Sequence, residues 1–219
     1  MRIACMVRPR GILIYLFLFL VWIIVQTNFD AAAQQTISIH FLYGSKPAKG
    51  FRGSEPRWFG GKRGGHVGLE IAPDQVLNFG PTGKFHWVSN HGKRHSRFTE
   101  QSVGETLMLL GKSEGRLQTL SIQITIDSAN YAQLLDIRNR YLQAPPYDYA
   151  FIGMRCASAT DEILAKIGLT KQRGYWGTVL HTFRPRALRT RLLRKAEVYG
   201  WKVSRQLGSE RRVWEKDRK

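Results

Sequence analysis

Cysteine is scarce in this chain of 219 residues, which contains only Cys5 and Cys156. Cys5 lies in an N-terminal segment that we expect to stay outside the folded domain. Cys156 then has no intramolecular partner, which excludes a disulfide-stapled scaffold. A single thiol of this kind is either an inert buried side chain or a thiol retained for its chemistry.

Acidic residues are also few, with 16 against 34 lysines and arginines and a net charge of +18. Without residues 1–33 the chain keeps 31 basic and 15 acidic residues, a net charge of +16. Such a protein favours anionic partners. We expect an anionic cell-envelope component, a peptidoglycan peptide or an anionic lipid, because the N-terminal segment indicates export. Nucleic acid fits the charge but not that location.

Residues 1–33 have the pattern of an export signal. Three arginines precede the apolar run Gly11 to Val25, and the small-residue site Ala31 to Ala33 follows it. The run has 15 residues, whereas a spanning helix needs about 20. We predict cleavage after Ala33 and a periplasmic or envelope-associated protein. The alternative is an uncleaved membrane anchor.

The remaining 186 residues are long enough for one domain with a proper core. We assign residues 34–183 to that domain. Residues 184–219 carry 13 basic and four acidic residues, with Leu188, Leu192 and Ala196 four residues apart. This spacing predicts a basic amphipathic helical extension that packs on the domain or contacts a membrane surface.

Strand patterns come first along the domain and helix patterns follow, which predicts an α+β fold with an antiparallel sheet and packed helices. A helix is expected from Asp127 or Ser128 to the residues before Pro145, and a second from Cys156 to Lys166 or Ile167. The predicted strands are Thr36–Tyr43, His66–Ala72, Val76–Phe79, Lys84–Ser89, Glu105–Leu110 and Leu117–Ile126.

Cys156 is expected at the first turn of its helix, facing the protein. A helix N-terminus offers partial positive charge and free N–H groups, which stabilise a thiolate. His66, at the start of a buried strand, is the candidate base that takes the thiol proton and later delivers it to the leaving group.

A third polar group should orient the imidazole ring, and strand register supplies one. A three-residue turn, Pro73 to Gln75, places the apolar side chains of both flanking strands on one face. The opposite face then carries His66 together with Asn78. Asn78 is therefore the predicted orienting residue, and Glu70 is the alternative.

These residues resemble a known superfamily. Together they are similar to the circularly permuted NlpC/papain-like superfamily, which includes lecithin:retinol acyltransferase-like proteins and bacterial cell-wall amidases. The likeness rests on the string His66–Ile71, on Asn78 twelve positions after His66, and on Cys156 at the start of a helix. The likeness covers about Thr36–Gly168 and implies a permuted papain-like thiol hydrolase or acyltransferase of Cys-His-Asn type. Pro146-Tyr147 resembles the Pro-Tyr pair that precedes the nucleophile in NlpC-type endopeptidases. Tyr147 is therefore a candidate for an auxiliary residue of the site.

The long glycine-rich and basic loop before His66 predicts a substrate rim, with Trp58 and Arg63 as candidates. His91 and His95 have metal-ligand spacing but no third ligand, so we expect neither metal nor cofactor. The leading hypothesis is an exported amidase or endopeptidase that acts on cell-wall peptides through a thioester on Cys156. The alternatives are a lipid or lipoprotein acyl hydrolase or transferase, and a non-catalytic envelope-binding module.

Overall fold

A computed structural model describes Phe19 and residues 34–53, 64–83, 86–90, 94–109 and 117–217. The export segment as a whole, Trp58 and Arg63 lie outside the described residues. No helix among the described residues is long and apolar enough to cross a membrane.

One six-stranded sheet organises the fold. Its strands are β1 (Gln35–Tyr43), β3 (Gly65–Ala72), β4 (Gln75–Pro81), β6 (Ser96–Gln101), β7 (Thr119–Ile126) and β9 (Lys202–Gln206). Every neighbouring pair is antiparallel, in the order β6-β4-β3-β1-β7-β9. The predicted α+β class with an antiparallel sheet is therefore confirmed.

The core lies between the apolar face of this sheet and three helices. Alternating side chains such as Ile37, Ile39 and Phe41 of β1 are fully buried there, as expected for a strand with one covered face. The helices are α2 (Ser128–Gln143), α3 (Cys156–Lys166) and α5 (Pro185–Tyr199). The first two match the predicted helices. Gly168 follows α3 with φ 75°, the left-handed conformation that suits a terminating glycine.

The β3–β4 hairpin differs from the prediction in its turn. The turn has two residues, Pro73 and Asp74, and not three. A two-residue turn alone would place the apolar side chains of the two strands on opposite faces. A β-bulge between Glu70 and Ala72 adds the missing residue and restores the predicted faces, so that Gly68 pairs with Asn78.

Two predicted strands are corrected. Glu105–Leu110 was expected to be a strand, but α1 (Val103–Met108) occupies this place. Ser102 and Glu105 form a capping box that starts this helix. The Lys84–Ser89 prediction corresponds to β5 (His86–Val88), which does not extend an antiparallel meander. It pairs in parallel with β8 (Ala150–Ile152), just before α3.

Within the described residues 184–217, the only helix is α5. The chain then adds β9 to the edge of the main sheet, and β10 (Arg212–Trp214) pairs with β2 (Ser45–Pro47). Buried Arg189 of α5 contributes to this attachment through ion pairs with Glu215 and Asp217. Residues 185–217 therefore belong to the same compact unit as the sheet.

Candidate active site

Cys156 is the first residue of α3 and its side chain is buried, with 5% of its surface exposed. The hydroxyl of Ser158 accepts a hydrogen bond from the Arg155 N–H (2.8 Å) and donates one to the Arg155 carbonyl (3.1 Å). These bonds close the first helical turn, which fixes the direction of the thiol. The thiol also accepts a hydrogen bond from the backbone N–H of Val67 in β3.

His66, one residue before Val67, connects the thiol to Asn78. Its Nε2 lies 2.8 Å from Oδ1 of Asn78, and its ring also hydrogen bonds with Cys156. Because Nε2 is used by Asn78, Nδ1 is the ring nitrogen left for the thiol. An Nε2–H that donates to Asn78 leaves Nδ1 with the lone pair that a base requires.

The electrostatics of the pair favour charge separation. Burial raises the pKa of Cys156, but the hydrogen bond and charge of His66, with help from Val67 N–H and Arg155, outweigh burial and hold that pKa below its ordinary value. Burial lowers the pKa of His66, but Cys156 and Asn78 outweigh it and raise the pKa overall. A thiolate beside an imidazolium is therefore stabilised.

Two side-chain acceptors hold the Asn78 amide in place. Its Nδ2 donates to Oγ1 of Thr106 at 2.8 Å and to Oε1 of Gln101 at 3.2 Å. These acceptors orient the amide so that Oδ1 faces His66. Opposite Asn78, a Cβ on Gly68 would lie 2.9 Å from Oδ1. Sequence reasoning did not identify Thr106 or Gln101, although the capping box at Ser102 could have revealed the helix that carries Thr106.

Glu70 has different partners from those of His66. Its carboxylate contacts Nε2 of His40 at 3.0 Å and accepts a hydrogen bond from the backbone N–H of Asp74 at 3.1 Å. The other ring nitrogen of His40 lies 2.7 Å from Oγ of Ser121. Glu70 therefore belongs to a separate polar cluster, and the group that contacts the His66 ring is Asn78.

The tyrosine near the thiol is Tyr149. The Tyr147 hydroxyl bonds to Glu162 at 3.2 Å, and its ring packs edge-on against Phe79. Tyr149, two residues later, is close enough to Cys156 that burial and the thiolate charge together raise its pKa. The Tyr147 ring thus lies in an aromatic cluster and its hydroxyl faces Glu162. The sequence carries no signal that distinguishes these two tyrosines.

A cleft of about 330 Å³ opens beside His66 and Asn78. Tyr149 lines it, and Arg97, Thr99 and Gln101 of β6 form a polar wall. An apolar groove lined by Phe79, Phe85 and Trp87 would favour a lipid, and Phe85 lies outside the described residues. Phe79 lines this cleft with Pro81 and Leu109, although only 2% of its surface is exposed. Trp87 is not part of the lining and stands on β5 with 74% of its surface exposed.

Within the described ranges, no group of three or more His, Cys, Asp or Glu residues could hold a metal ion. His95 stacks on His86, with ring centroids 4.4 Å apart, and His86 Nδ1 contacts Asp148 at 2.5 Å. His91 lies outside the described residues.

Comparisons with known proteins add no identity to this site. No protein-family model, no curated protein and no solved structure matches the chain. The function therefore has to be inferred from the geometry around Cys156.

Proposed function

We propose that this protein is a thiol enzyme that breaks an amide or ester bond through a thioester on Cys156. The single observation that carries the proposal is the His66 ring, which hydrogen bonds the Cys156 thiol and lies 2.8 Å from Oδ1 of Asn78. A nucleophile, a base and a residue that orients the base are the parts required for nucleophilic catalysis. A cysteine with only a structural role needs none of these partners.

The reaction takes place in two stages. The Cys156 thiolate attacks the carbonyl carbon, and N–H groups in the first turn of α3 are available for the negative charge that develops on the carbonyl oxygen. The His66 imidazolium then donates its proton to the leaving amine or alkoxide, which departs and leaves a thioester. In the second stage His66 takes a proton from water, the hydroxide attacks the thioester, and Cys156 leaves as the thiolate. The products are a carboxylic acid and an amine or alcohol.

The arrangement of elements supports a permuted papain-like fold. The strand that carries His66 and the strand that carries Asn78 both precede the helix that begins with Cys156. The His66 ring joins all three through its contacts with Cys156 and Asn78. This order is the reverse of the ordinary papain-like order, and it agrees with the resemblance noted from the sequence.

The substrate class follows from the cleft and the charge. Arg97, Thr99 and Gln101 offer hydrogen-bond donors on one wall of a cleft that Phe79, Pro81 and Leu109 also line. The chain carries a large positive charge. A peptide with free carboxylates, such as a cell-wall stem peptide, satisfies both features. The export pattern of residues 1–33 would deliver the protein to that substrate.

The test is turnover of anionic wall peptides, followed by mass spectrometry of the products and of the protein. We expect hydrolysis by the native protein, and a peptide adduct on Cys156 when the reaction is stopped with acid. Cys156→Ala and His66→Ala should remove both signals. Glu70→Ala is the matched control, because Glu70 shares the strand with His66 but binds His40.

Other outcomes separate the alternatives. Release of fatty acid from acyl lipids without cleavage of wall peptides would replace the peptide substrate by a lipid and keep the thioester chemistry. No adduct with either substrate, together with binding to both native and Cys156→Ala protein, would favour a non-catalytic envelope-binding module.

A further inference from the structure

A second cavity, of about 450 Å³, is lined by the end of α4 (Tyr175–His181), the segment that follows it, and α5 as far as Arg194. It is lined by four arginines, Arg184, Arg186, Arg191 and Arg194. None of the residues that line it also lines the cleft beside His66. Four guanidinium groups around one cavity repel one another in the absence of an anion.

The nearby carboxylates pair with only one of the four arginines of the cavity. Asp161 pairs with Arg191 at 2.8 Å, and Glu215 pairs with buried Arg189 at 3.3 Å. Within the described part of the chain, no carboxylate lies within ion-pair distance of the remaining three arginines of the cavity. Their positive charge therefore favours the binding of an anion in the cavity.

Three buried polar atoms of the lining residues also have no hydrogen-bond partner. They are Nε of Arg186, Nη1 of Arg191 and Oγ1 of Thr190. Buried donors are almost always satisfied in folded proteins, and an exception calls for an explanation. The polar groups of this lining are therefore not all satisfied by the described residues.

We propose that this cavity binds a phosphate group, either as a free phosphate or as part of a phosphate ester. Phosphate offers several charged oxygens, which match the forked guanidinium groups better than the two oxygens of a carboxylate. α5 begins at Pro185 beside the cavity, and its N-terminus adds positive potential. This binding does not depend on the chemistry proposed for Cys156.

The rim of the cavity bears on the source of the phosphate. Leu180 is 77% exposed at the mouth, and Phe183 lines the cavity next to it. Arg155 donates a hydrogen bond to the Phe183 carbonyl, and its Cζ lies 3.9 Å from the centroid of the Phe183 ring. Phe183 therefore links the cavity to the residue that precedes α3. An apolar rim beside a cationic pocket accommodates a phosphate ester as well as a free anion.

Calorimetric titration of the full chain with inorganic pyrophosphate tests the proposal, and sedimentation with phosphatidate-containing vesicles distinguishes the source. We expect saturable binding of pyrophosphate, weakened at least tenfold in Arg186→Gln and in Arg194→Gln. Arg140→Gln is the matched control, because it removes the same charge from an exposed position on α2. Its affinity should stay within twofold of the native value, and thermal unfolding verifies that every variant is folded.

A second outcome is that the protein binds the vesicles but not pyrophosphate, and that both pocket substitutions abolish vesicle binding. This outcome supports the proposal, with a lipid phosphate as the source. Absence of pocket-dependent binding of either probe overturns it. So does an equal loss of affinity in Arg140→Gln, because the effect would then be one of net charge.

Discussion

Nε2 of His66 and Oδ1 of Asn78 lie 2.8 Å apart, although the two residues sit on different strands. Gly68 makes this contact possible, because it pairs with Asn78 across the hairpin and has no side chain to fill the space. Thr106 and Gln101 then fix the amide from the opposite side. The ring is thus positioned by a hairpin, a bulge and a short helix acting together.

The first prediction concerns Asn78. Asn78→Ala should lower kcat/KM for a wall peptide by about tenfold or more, because His66 loses the acceptor that orients it. Steady-state kinetics measures the effect, and Tm shows whether the fold is kept. Glu70→Ala should leave kcat/KM within about twofold. Equal losses in the two variants would contradict the assigned role of Asn78.

The second prediction concerns the thiol. In a Cys5→Ser background, the rate of alkylation of Cys156 by iodoacetamide should rise with pH. The midpoint of this rise should lie below about pH 8.5, because the pKa of an unperturbed thiol is about 8.5. His66→Ala removes the largest group that lowers this pKa and leaves the effect of burial. Its midpoint should therefore move above that of the native protein. If the native protein and His66→Ala have the same midpoint, Cys156 is a structural residue.

The third prediction uses Gly68. A Cβ at this position would lie 2.6 Å from Cγ1 of Val76 and 2.9 Å from Oδ1 of Asn78. Gly68→Ala should displace Asn78, lower activity, and cost about 1–3 kcal/mol of unfolding free energy through overpacking. Gly80→Ala is the control for stability, because nothing lies within 4 Å of its added Cβ. Urea unfolding that does not separate the two variants would argue against close packing at Gly68.

The placement of the site could be predicted from the sequence only in part. Alternation of apolar residues in β3 and β4 predicts the face that His66 shares with Asn78, and helix periodicity predicts the start of α3 at Cys156. The bulge at Ile71 could not be predicted, because a regular two-residue turn and a bulged one differ only in local pairing. The stereochemistry of Pro73 and Asp74 is compatible with both.

Contacts between distant segments were beyond sequence reasoning for a different reason. Thr106 reaches Asn78 only after α1 folds over the sheet, and Tyr149 reaches the cleft only after β8 pairs with β5. The arginine cavity similarly needs the turn between α4 and α5. Local periodicity describes which face a residue occupies, and not which distant residue it meets.

The fourth prediction separates two tyrosines. Tyr149→Phe should lower kcat/KM for a peptide several-fold with little change in Tm, because Tyr149 lines the cleft near Cys156. Tyr147→Phe should instead lower the unfolding free energy by about 1 kcal/mol and leave kcat/KM unchanged, since it loses a hydrogen bond to Glu162. Kinetics and urea unfolding on both variants give this comparison. The reverse pattern would make Tyr147 the tyrosine of the site.

The last prediction concerns Asp148, a buried carboxylate that ties the segment before α3 to the β5 region. Its oxygens accept hydrogen bonds from the backbone N–H groups of Asn90 (2.9 Å) and His95 (2.8 Å), and one contacts Nδ1 of His86. Burial raises the pKa of Asp148, but these bonds outweigh burial and hold the pKa below its ordinary value. The carboxylate is thus favoured in the folded state.

A folded pKa below the unfolded one means that this stabilisation is complete above the unfolded value, about 3.9, and is lost as pH falls through the folded value. Asp148→Asn should lower the unfolding free energy at pH 7 by about 2–4 kcal/mol, because an amide cannot accept all three bonds. Asp136→Asn, at an exposed surface ion pair, should change it by less than about 0.5 kcal/mol. Urea unfolding from pH 7 to pH 3 should show the Asp148→Asn difference shrinking toward acid. A difference that stays constant over this range would mean that the charge of Asp148 is not what holds the segment before α3.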